Sequence, residues 1–374
     1  MEPLAPHEKV FVDSDFLEDE NHGEIACVDC HGGNPDDPDW KTAHNGVVKD
    51  PTYPDAEKTC GECHGEITEN YPTSLHVSLR PYKLTIDKRG TPNSVVHNKL
   101  GCAMEKNCSA CHSSCGQCHI SRPESVEGGF LEGHLFQKKP PMEQVCTACH
   151  GSRVQKEYFG DNEGAQPDVH KTKYMKCDKC HSGEEMHGDG KQYEHRYAVE
   201  NGAKCTDCHD KIYDRNAENV VTHRIHKDKA TCQVCHSQTY KNCSSCHVAD
   251  DEHGNSFFKT KSSWLDFKIG LNPLKSDKRP EKFAVLRHAP VDKETFGFYV
   301  KDGLGNFDKL PTWKFATPHN ILRKTKQNSS CNSCHGNKDL FLLEKDVEES
   351  VKGANKGVIV PDNMIPKKQK WQPK

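Results

Sequence analysis

Apolar residues are sparse along most of this chain, and they rarely recur with the spacing of a long amphipathic helix. Between residues 27 and 247, short apolar stretches alternate with Gly, Pro, Asp and Lys, which predicts short helices joined by loops. The section from 247 to 330 differs, because residues 282–286 and 296–300 carry β-forming side chains flanked by turn signals. The pattern predicts a mostly irregular fold with short α-helices and a small β-containing module near the C-terminus.

The composition leaves too few apolar side chains for an ordinary core. Of the 374 residues, 33% are hydrophobic and 7% are aromatic, a balance that usually accompanies disorder. The same chain holds 21 Cys and 24 His. If these residues bind large, flat, apolar cofactors, the cofactors supply the buried surface that the side chains lack.

One five-residue pattern, Cys-x-x-Cys-His, uses 20 of the 21 Cys. It is typical of covalent c-type haem attachment. Two thiols three positions apart reach the two vinyl groups of one porphyrin, and the adjacent His points its imidazole at the iron. The ten copies consist of Cys27, Cys30 and His31; Cys60, Cys63 and His64; Cys108, Cys111 and His112; Cys115, Cys118 and His119; Cys146, Cys149 and His150; Cys177, Cys180 and His181; Cys205, Cys208 and His209; Cys232, Cys235 and His236; Cys243, Cys246 and His247; and Cys331, Cys334 and His335.

Zinc sites and disulfides are the alternatives for paired cysteines. A zinc knuckle needs two Cys-x-x-Cys pairs for each metal and does not require His directly after the second Cys. A disulfide framework has varied spacings and no linked His. Here His follows every pair, which favours ten covalent haems c.

Ten haem irons need ten further axial ligands if each iron is six-coordinate. Fourteen His lie outside the motifs, and this surplus is larger than packing or surface roles explain. His223 and His226 stand one helical turn apart, so they suit two neighbouring irons. His7 and His253 lie among charged residues and are the weakest candidates. The candidate distal ligands are His22, His44, His76, His97, His134, His170, His187, His195, His223, His226, His288 and His319.

An iron held by two imidazoles is coordinatively saturated, which suits electron transfer and leaves no position for a substrate. Since the spare His can saturate every iron, we expect an electron carrier with no catalytic residues. Some neighbouring motifs begin only 7 or 11 residues apart, so their haems must lie side by side.

The motifs divide the chain unevenly. Residues 1–250 carry nine of them and predict a multihaem core, whereas residues 251–374 predict a C-terminal module with β content, the tenth haem and a basic tail. This module supplies two candidate ligands, His288 and His319. Cys102 belongs to no motif, and an intermolecular bridge, a free thiol and a buried small thiol are all open for it.

The net charge and the lack of long apolar runs bear on the partners and the location of the protein. The formal net charge is −4, and ten ferric haems at about −1 each bring it to roughly −14, which argues against nucleic acid as a partner. No apolar run is long enough to span a membrane. Residues 1–5 lack the basic and apolar regions of a signal peptide. Because c-type haem is attached outside the cytoplasm, we expect an export signal that this sequence lacks.

Four segments resemble the extracellular multihaem cytochromes of metal-reducing and syntrophic microbes, of the nanowire type. They are residues 108–123 (CSACHSSCGQCHISRP), 128–134 (GGFLEGH), 149–153 (CHGSR) and 181–188 (HSGEEMHG). More distantly, the chain resembles the octahaem tetrathionate-reductase and hydroxylamine-oxidoreductase group. The resemblance implies mostly bis-His irons, haems in stacked and T-shaped pairs, and, in some members, filaments in which one subunit ligates a haem of the next.

These observations predict a decahaem conduit for extracellular or periplasmic respiration, with polymerisation into a filament as a further expectation. The expected partners are other multihaem cytochromes or copies of the same chain, with metal oxides or partner cells as acceptors. The expected location is extracellular or at the cell surface, with the periplasm as second choice. The alternative function is a multihaem reductase of small nitrogen or sulfur oxyanions.

Overall fold

The computed structural model describes residues 4–108, 113–243, 245–260 and 263–370. The predicted haem ligands Cys111 and His112 lie outside the described residues, as does the side chain of Cys108. The prediction for the third motif therefore falls outside the described residues.

The helices are short, as the interrupted apolar pattern predicts. Most span one or two turns, and many further turns are 3-10 turns of three to five residues. The α-helices are α1 Cys27–His31, α2 Trp40–Ala43, α3 Glu57–Asn70, α4 Leu75–Ser78, α5 Arg80–Arg89, α6 Ser94–Cys108, α7 Gly116–His119, α8 Cys146–His150, α9 Lys156–Phe159, α10 Gly183–His187, α11 Val220–His226, α12 Cys232–His236, α13 Cys331–Cys334 and α14 Lys352–Asn355.

Seven short strands form three small antiparallel sheets. Their order is β1–β4, β2–β3 and β5–β6–β7. The strands are β1 Tyr240–Asn242, β2 Cys246–Asp250, β3 Ser256–Thr260, β4 Trp264–Asp266, β5 Lys268–Leu271, β6 Phe283–His288 and β7 Trp313–Phe315. The described residues confirm a mostly irregular fold with short helices and a small β-containing part.

One of the two predicted β segments is wrong. Residues 282–286 overlap β6, but residues 296–300 form turns. The backbone N–H groups of Tyr299 and Val300 both donate to the Phe296 carbonyl, at 3.0 Å. Phe296 and Val300 are 1% and 8% exposed, so both apolar side chains of this turn are buried.

The chain forms two compact units. Unit 1 contains residues 1–84, 108–151 and 176–203, and unit 2 contains residues 85–107, 152–175 and 204–374. Each unit is assembled from separate stretches of sequence. The predicted boundary after residue 250 stays a prediction.

The two units differ in how much apolar side chain they bury. All three apolar clusters found among the described residues lie in unit 2, around Tyr240 and Phe341, around Leu100 and Phe296, and around Leu286. In the described part of unit 1, only Met142 and Val145 are buried hydrophobic residues. The described part of unit 1 therefore lacks the side-chain core that a domain of its size normally needs.

Candidate metal centres

Most described motifs form a single helical turn. Helices α1, α8 and α12 contain nothing but the five motif residues, and two other motifs begin as the 3-10 turns Cys177–Lys179 and Cys205–Asp207. Residues i, i+3 and i+4 share one face of a helical turn. This geometry brings both thiols and the imidazole of one motif to the same side of the backbone.

Two motifs depart from the isolated turn. The second lies inside α3, where His64 leaves helical geometry with φ −113° and ψ 35°. The ninth is extended, because Cys246 and His247 begin β2 and pair with Thr260 and Lys259 of β3. Local backbone structure therefore varies among the motifs.

In unit 1, four motif imidazoles each face an imidazole from outside the motifs. The ring centroids lie between 5.9 and 6.4 Å apart. The four pairs are His64 with His22, His31 with His134, His150 with His76, and His119 with His187.

Unit 2 repeats the arrangement three times, with centroids 6.1 to 6.3 Å apart. The pairs are His209 with His170, His236 with His223, and His335 with His226. His223 and His226, both on α11, therefore face two different motifs, as their spacing predicts.

The separation of the paired rings fits one metal ion between them. Two metal–nitrogen bonds of about 2 Å separate the facing nitrogens by about 4 Å, and the two ring radii bring the centroids to roughly 6 Å apart. In direct ring stacking the planes touch at van der Waals distance, as for His22 on Phe136, whose centroids are 4.0 Å apart. All seven His pairs match the metal-bridged distance.

Several motif imidazoles donate Nδ1–H to a carbonyl, which leaves Nε2 as the free ligand atom. The acceptors are Val48 O for His31 at 2.7 Å, Gln137 O for His119 at 2.7 Å, Leu322 O for His236 at 3.0 Å, and Lys367 O for His335 at 3.2 Å. Metal-binding His usually has such a partner, because it fixes the tautomer and the ring orientation.

Carboxylates and a helical carbonyl orient other candidate ligands. Nδ1 of His170 lies 2.8 Å from Asp168 Oδ1, and Nδ1 of His181 lies 2.9 Å from Glu185 Oε2. His226 Nδ1 donates to the carbonyl one helical turn earlier, at 2.8 Å. These carboxylates are not among the predicted site residues, although Glu185 stands four residues after His181, a spacing that a helical turn brings together.

Burial keeps several distal imidazoles in the neutral form that a metal needs. It is the first cause lowering the pKa of His134, His187 and His223, and the facing motif imidazole lowers each pKa further. Burial also lowers the pKa of His76. A neutral ring keeps the Nε2 lone pair available near pH 7.

Other predicted ligands have different surroundings. Within the described residues, His44, His97 and His288 face no motif imidazole. Nε2 of His97 is buried without a hydrogen-bond partner. The His288 ring lies 5.4 Å from that of Trp264 and 4.9 Å from that of Trp313.

The remaining two candidates and one motif His make backbone hydrogen bonds. The His195 carbonyl accepts from the Ala198 N–H at 2.9 Å, at the start of the 3-10 turn Arg196–Ala198. The His319 N–H donates to Glu157 Oε2 at 2.9 Å. His247 donates Nδ1–H to the Glu294 carbonyl at 3.2 Å. Their role as ligands stays a prediction.

Thiols of different motifs lie close enough in unit 1 to affect one another. Burial raises the pKa of Cys30, and the charge of Cys60 raises it further. Burial and then Cys60 raise the pKa of Cys115 to about 11. Burial and then Cys146 raise the pKa of Cys118 to about 12. The first, second, fourth and fifth motifs are therefore successive neighbours.

The closest thiols belong to consecutive motifs. A hydrogen bond from Cys177 lowers the pKa of Cys146 to about 7 and raises that of Cys177. In unit 2 a hydrogen bond between Cys205 and Cys232 raises the pKa of Cys205 and lowers the pKa of Cys232. These two thiol pairs therefore bring consecutive motifs into contact.

Among the residues that the structure describes, no group of three or more His, Cys, Asp or Glu side chains forms a conventional metal site. Likewise, no helix in the described part of the chain is long and apolar enough to cross a membrane. Comparison of the chain with protein-family models, curated proteins and solved structures found no match.

Proposed function

We propose that the chain is a ten-haem c-type cytochrome whose function is electron transfer. The observation that carries the proposal is the set of seven imidazole pairs. Each joins one Cys-x-x-Cys-His motif to one outside His at 5.9 to 6.4 Å. Two facing imidazoles are what an iron porphyrin needs for six-coordination, because the porphyrin supplies the other four ligands.

The contrast with zinc supports the same assignment. A structural zinc ion needs four protein ligands at one point. The pairs supply only two nitrogens, on opposite sides of a gap, with the motif thiols on the same face as the motif imidazole. That arrangement suits a cofactor that brings its own equatorial ligands.

When bound, the haem supplies a one-electron couple. The protein holds the axial nitrogens in fixed positions through Nδ1 contacts such as His119 to Gln137 O. It also covers the distal rings of His134, His187 and His223, whose pKa values burial lowers. Fixed ligands keep rearrangement on electron transfer small, which favours a carrier over an enzyme.

The neighbouring thiols support a path through eight of the motifs, five in unit 1 and three in unit 2. In unit 1 the contacts connect motifs one, two, four, five and six in turn. In unit 2 motif seven meets motif eight, and burial followed by the charge of Cys334 raises the pKa of Cys235 to about 11, which connects motif eight to motif ten. Because tunnelling weakens steeply with distance, such closeness is what a conduit requires.

We further propose that the protein works outside the cytoplasm, at the cell surface or beyond, with the periplasm as second choice. Covalent haem attachment and the electron-carrier assignment support this location. Copies of the chain or other multihaem cytochromes would be its partners, and metal oxides or partner cells its acceptors. Assembly into a filament is part of this proposal.

Intact-mass measurement of the native protein tests the haem content directly. The expected mass is that of the polypeptide plus ten haems. The visible spectrum should show the sharp α band of reduced low-spin c-type haem. A bare or zinc-loaded polypeptide would overturn the proposal.

Electron paramagnetic resonance separates the carrier from a reductase. The oxidised carrier should show low-spin haem at all seven paired positions. Steady turnover of nitrite, hydroxylamine or tetrathionate, together with a stoichiometric high-spin signal, would favour the reductase. Electron microscopy tests assembly, since a monodisperse monomer under native conditions would rule out the filament.

A further inference from the structure

The two units carry opposite net charges. Unit 1 holds 28 Asp and Glu against 13 Lys and Arg, a formal net charge of −15. Unit 2 holds 27 Asp and Glu against 38 Lys and Arg, a formal net charge of +11. Six of the ten motifs belong to unit 1, and bound haem at about −1 each makes that unit more acidic still. Protein surfaces of opposite charge attract one another, and this attraction steers their association.

In unit 2, the C-terminal segment 366–370 packs on the tenth motif. The Gly336 N–H, directly after the motif, donates to the Pro366 carbonyl at 2.6 Å. Asn332, inside the motif, exchanges two hydrogen bonds of 2.7 and 3.0 Å with the backbone of Gln369. Because these contacts use the backbone of the segment, its lysine side chains stay exposed beside the motif. They are Lys367, Lys368 and Lys370.

These three lysines and Lys326, five residues before Cys331, form the basic surface of unit 2. All four are exposed, and none of them makes an ion pair within the described part of the chain. By contrast, Lys338 in the same region is paired with Asp362 at 2.5 Å. The four unpaired ammonium groups therefore leave this surface positive.

In unit 1, the region of the first motif is acidic and partly apolar. Residues 10–40, which contain this motif, hold ten Asp and Glu and no Lys or Arg. We call this stretch the acidic surface. Exposed apolar side chains that are rimmed by charge are typical of protein–protein interfaces. Four such side chains here are 52–69% exposed, namely Val10, Phe11, Val12 and Leu17.

We propose that the basic surface of one copy of the chain binds the acidic surface of a second copy. This inference rests on the proposed function, since it assigns the contact through which copies of the cytochrome assemble. The two surfaces differ, so the contact is heterologous and one copy engages two others, as a chain of copies requires. The contact brings the tenth motif of one copy to the first motif of the next.

Sedimentation velocity of the holoprotein at several ionic strengths tests the attraction. Charges are screened beyond about 10 Å in 0.1 M salt and beyond about 3 Å in 1 M salt, so association at low salt should be lost near 1 M. The tail variant carries Lys367→Glu, Lys368→Glu and Lys370→Glu. At low salt it should raise the Kd for self-association by about tenfold or more, because like charges then face each other.

A charge-swap experiment identifies the second surface. Glu18, Glu20 and Glu24 are exposed, and their carboxylates make no hydrogen bond or ion pair among the residues described. The surface variant, with Glu18→Lys, Glu20→Lys and Glu24→Lys, should also fail to self-associate. An equimolar mixture of the tail and surface variants should associate again, because each tail then meets a surface of opposite charge.

Two control variants separate the position of the charges from their number. Lys275→Glu, Lys293→Glu and Lys301→Glu make the same change in net charge at exposed lysines of unit 2 outside the basic surface, and should associate like the wild type. Arginine at all three tail positions keeps the charge and should also associate normally. Should the tail variant fail to fold, the corresponding Gln variant carries the same test with half the change in charge.

The outcomes distinguish this inference from the proposed function. A protein without ten haems by mass defeats both. Ten haems together with normal self-association of the tail variant, or a mixture of the two variants that does not associate, overturn the assigned contact alone. If the tail variant self-associates normally but no longer binds phosphatidylglycerol vesicles that the wild type binds, the basic surface contacts anionic lipid and the second-copy assignment is wrong.

Discussion

The imidazole ring is the smallest unit on which the proposed function depends, and its two nitrogens have different roles. In His170, Nδ1 bonds Asp168 at 2.8 Å while the ring faces His209 at 6.2 Å. The carboxylate turns the ring and increases the basicity of Nε2. Such partners come from distant positions or from turns, so residue type alone does not reveal them.

Removing one distal ring should expose one iron. In His187→Ala, we expect one haem in ten to become high-spin and to bind carbon monoxide when reduced, because His119 then faces no second imidazole. Electron paramagnetic resonance and the visible spectrum with carbon monoxide measure this change.

His253→Ala is the matched control for that substitution. His253 is a spare His whose side chain is 75% exposed and lies beside Glu252. Its removal should leave all signals unchanged. A His187→Ala protein with the wild-type spectrum would show that His187 is not a ligand.

The mutual angle of the paired rings predicts two classes of low-spin signal. The rings of His76 and His150 are inclined by 85°, whereas those of His223 and His236 are inclined by 21°. Perpendicular rings leave two iron orbitals nearly degenerate, which gives a strongly anisotropic signal; near-parallel rings give an ordinary rhombic one. Low-temperature electron paramagnetic resonance should resolve both, and a single class would contradict these angles.

At the scale of the element, many helices are short because the five-residue motif is the main local signal that forms them. The Cys-x-x-Cys-His spacing predicts turns such as α1 and α12, and the β-forming run predicts β6. Residues 296–300 carry a similar β-forming run but form turns closed by hydrogen bonds to the Phe296 carbonyl. Strand propensity depends on context, so side-chain type alone does not predict that outcome.

A polar network connects α6 to β2 within unit 2. Asp250 accepts from Lys106 Nζ at 2.7 Å and from Tyr299 Oη at 2.5 Å, and these bonds lower its pKa from 3.8 to about 2. A depressed carboxyl pKa gives stability that is present above the unfolded pKa and is lost as the pH falls through the folded pKa. We expect the wild type to lose thermal stability between pH 3.8 and about 2.

Asp250→Asn should weaken that dependence. The variant should melt at a lower temperature than the wild type at neutral pH. The difference should shrink as the pH falls through the folded-state pKa of about 2, below which Asp250 is protonated in both states. Thermal denaturation followed by circular dichroism measures it. Glu252→Gln, whose side chain is 86% exposed, is the control. Parallel pH curves for the wild type and Asp250→Asn would count against the network.

For the whole molecule, the sequence shows how many candidate ligands there are, but it does not show which of them face one another. Ten motifs and surplus His follow from counting. The pairing of His31 with His134 joins residues far apart in sequence, and no local pattern encodes such a contact. Spare His such as His44 and His97 look like equally good ligands in the sequence, and only the fold separates them.

The unequal cores predict how the protein behaves without haem. Unit 1 buries few apolar side chains, whereas unit 2 has clusters around Tyr240 and Leu286. In chain produced without haem attachment, we expect proteolysis first within 4–84, 113–151 and 176–203, and protection of much of 263–370. Limited proteolysis with mass spectrometry measures this. Uniform cleavage would show that unit 2 also depends on haem.

Helix α11 holds two candidate distal ligands at a fixed separation. His223 and His226 stand on adjacent levels of one seven-residue helix, yet they face motifs that begin about a hundred residues apart, at Cys232 and Cys331. If haems bind at both motifs, the distance between the two irons would depend on this one short helix rather than on the chain between the motifs. A movement of the helix would then displace both distal ligands together.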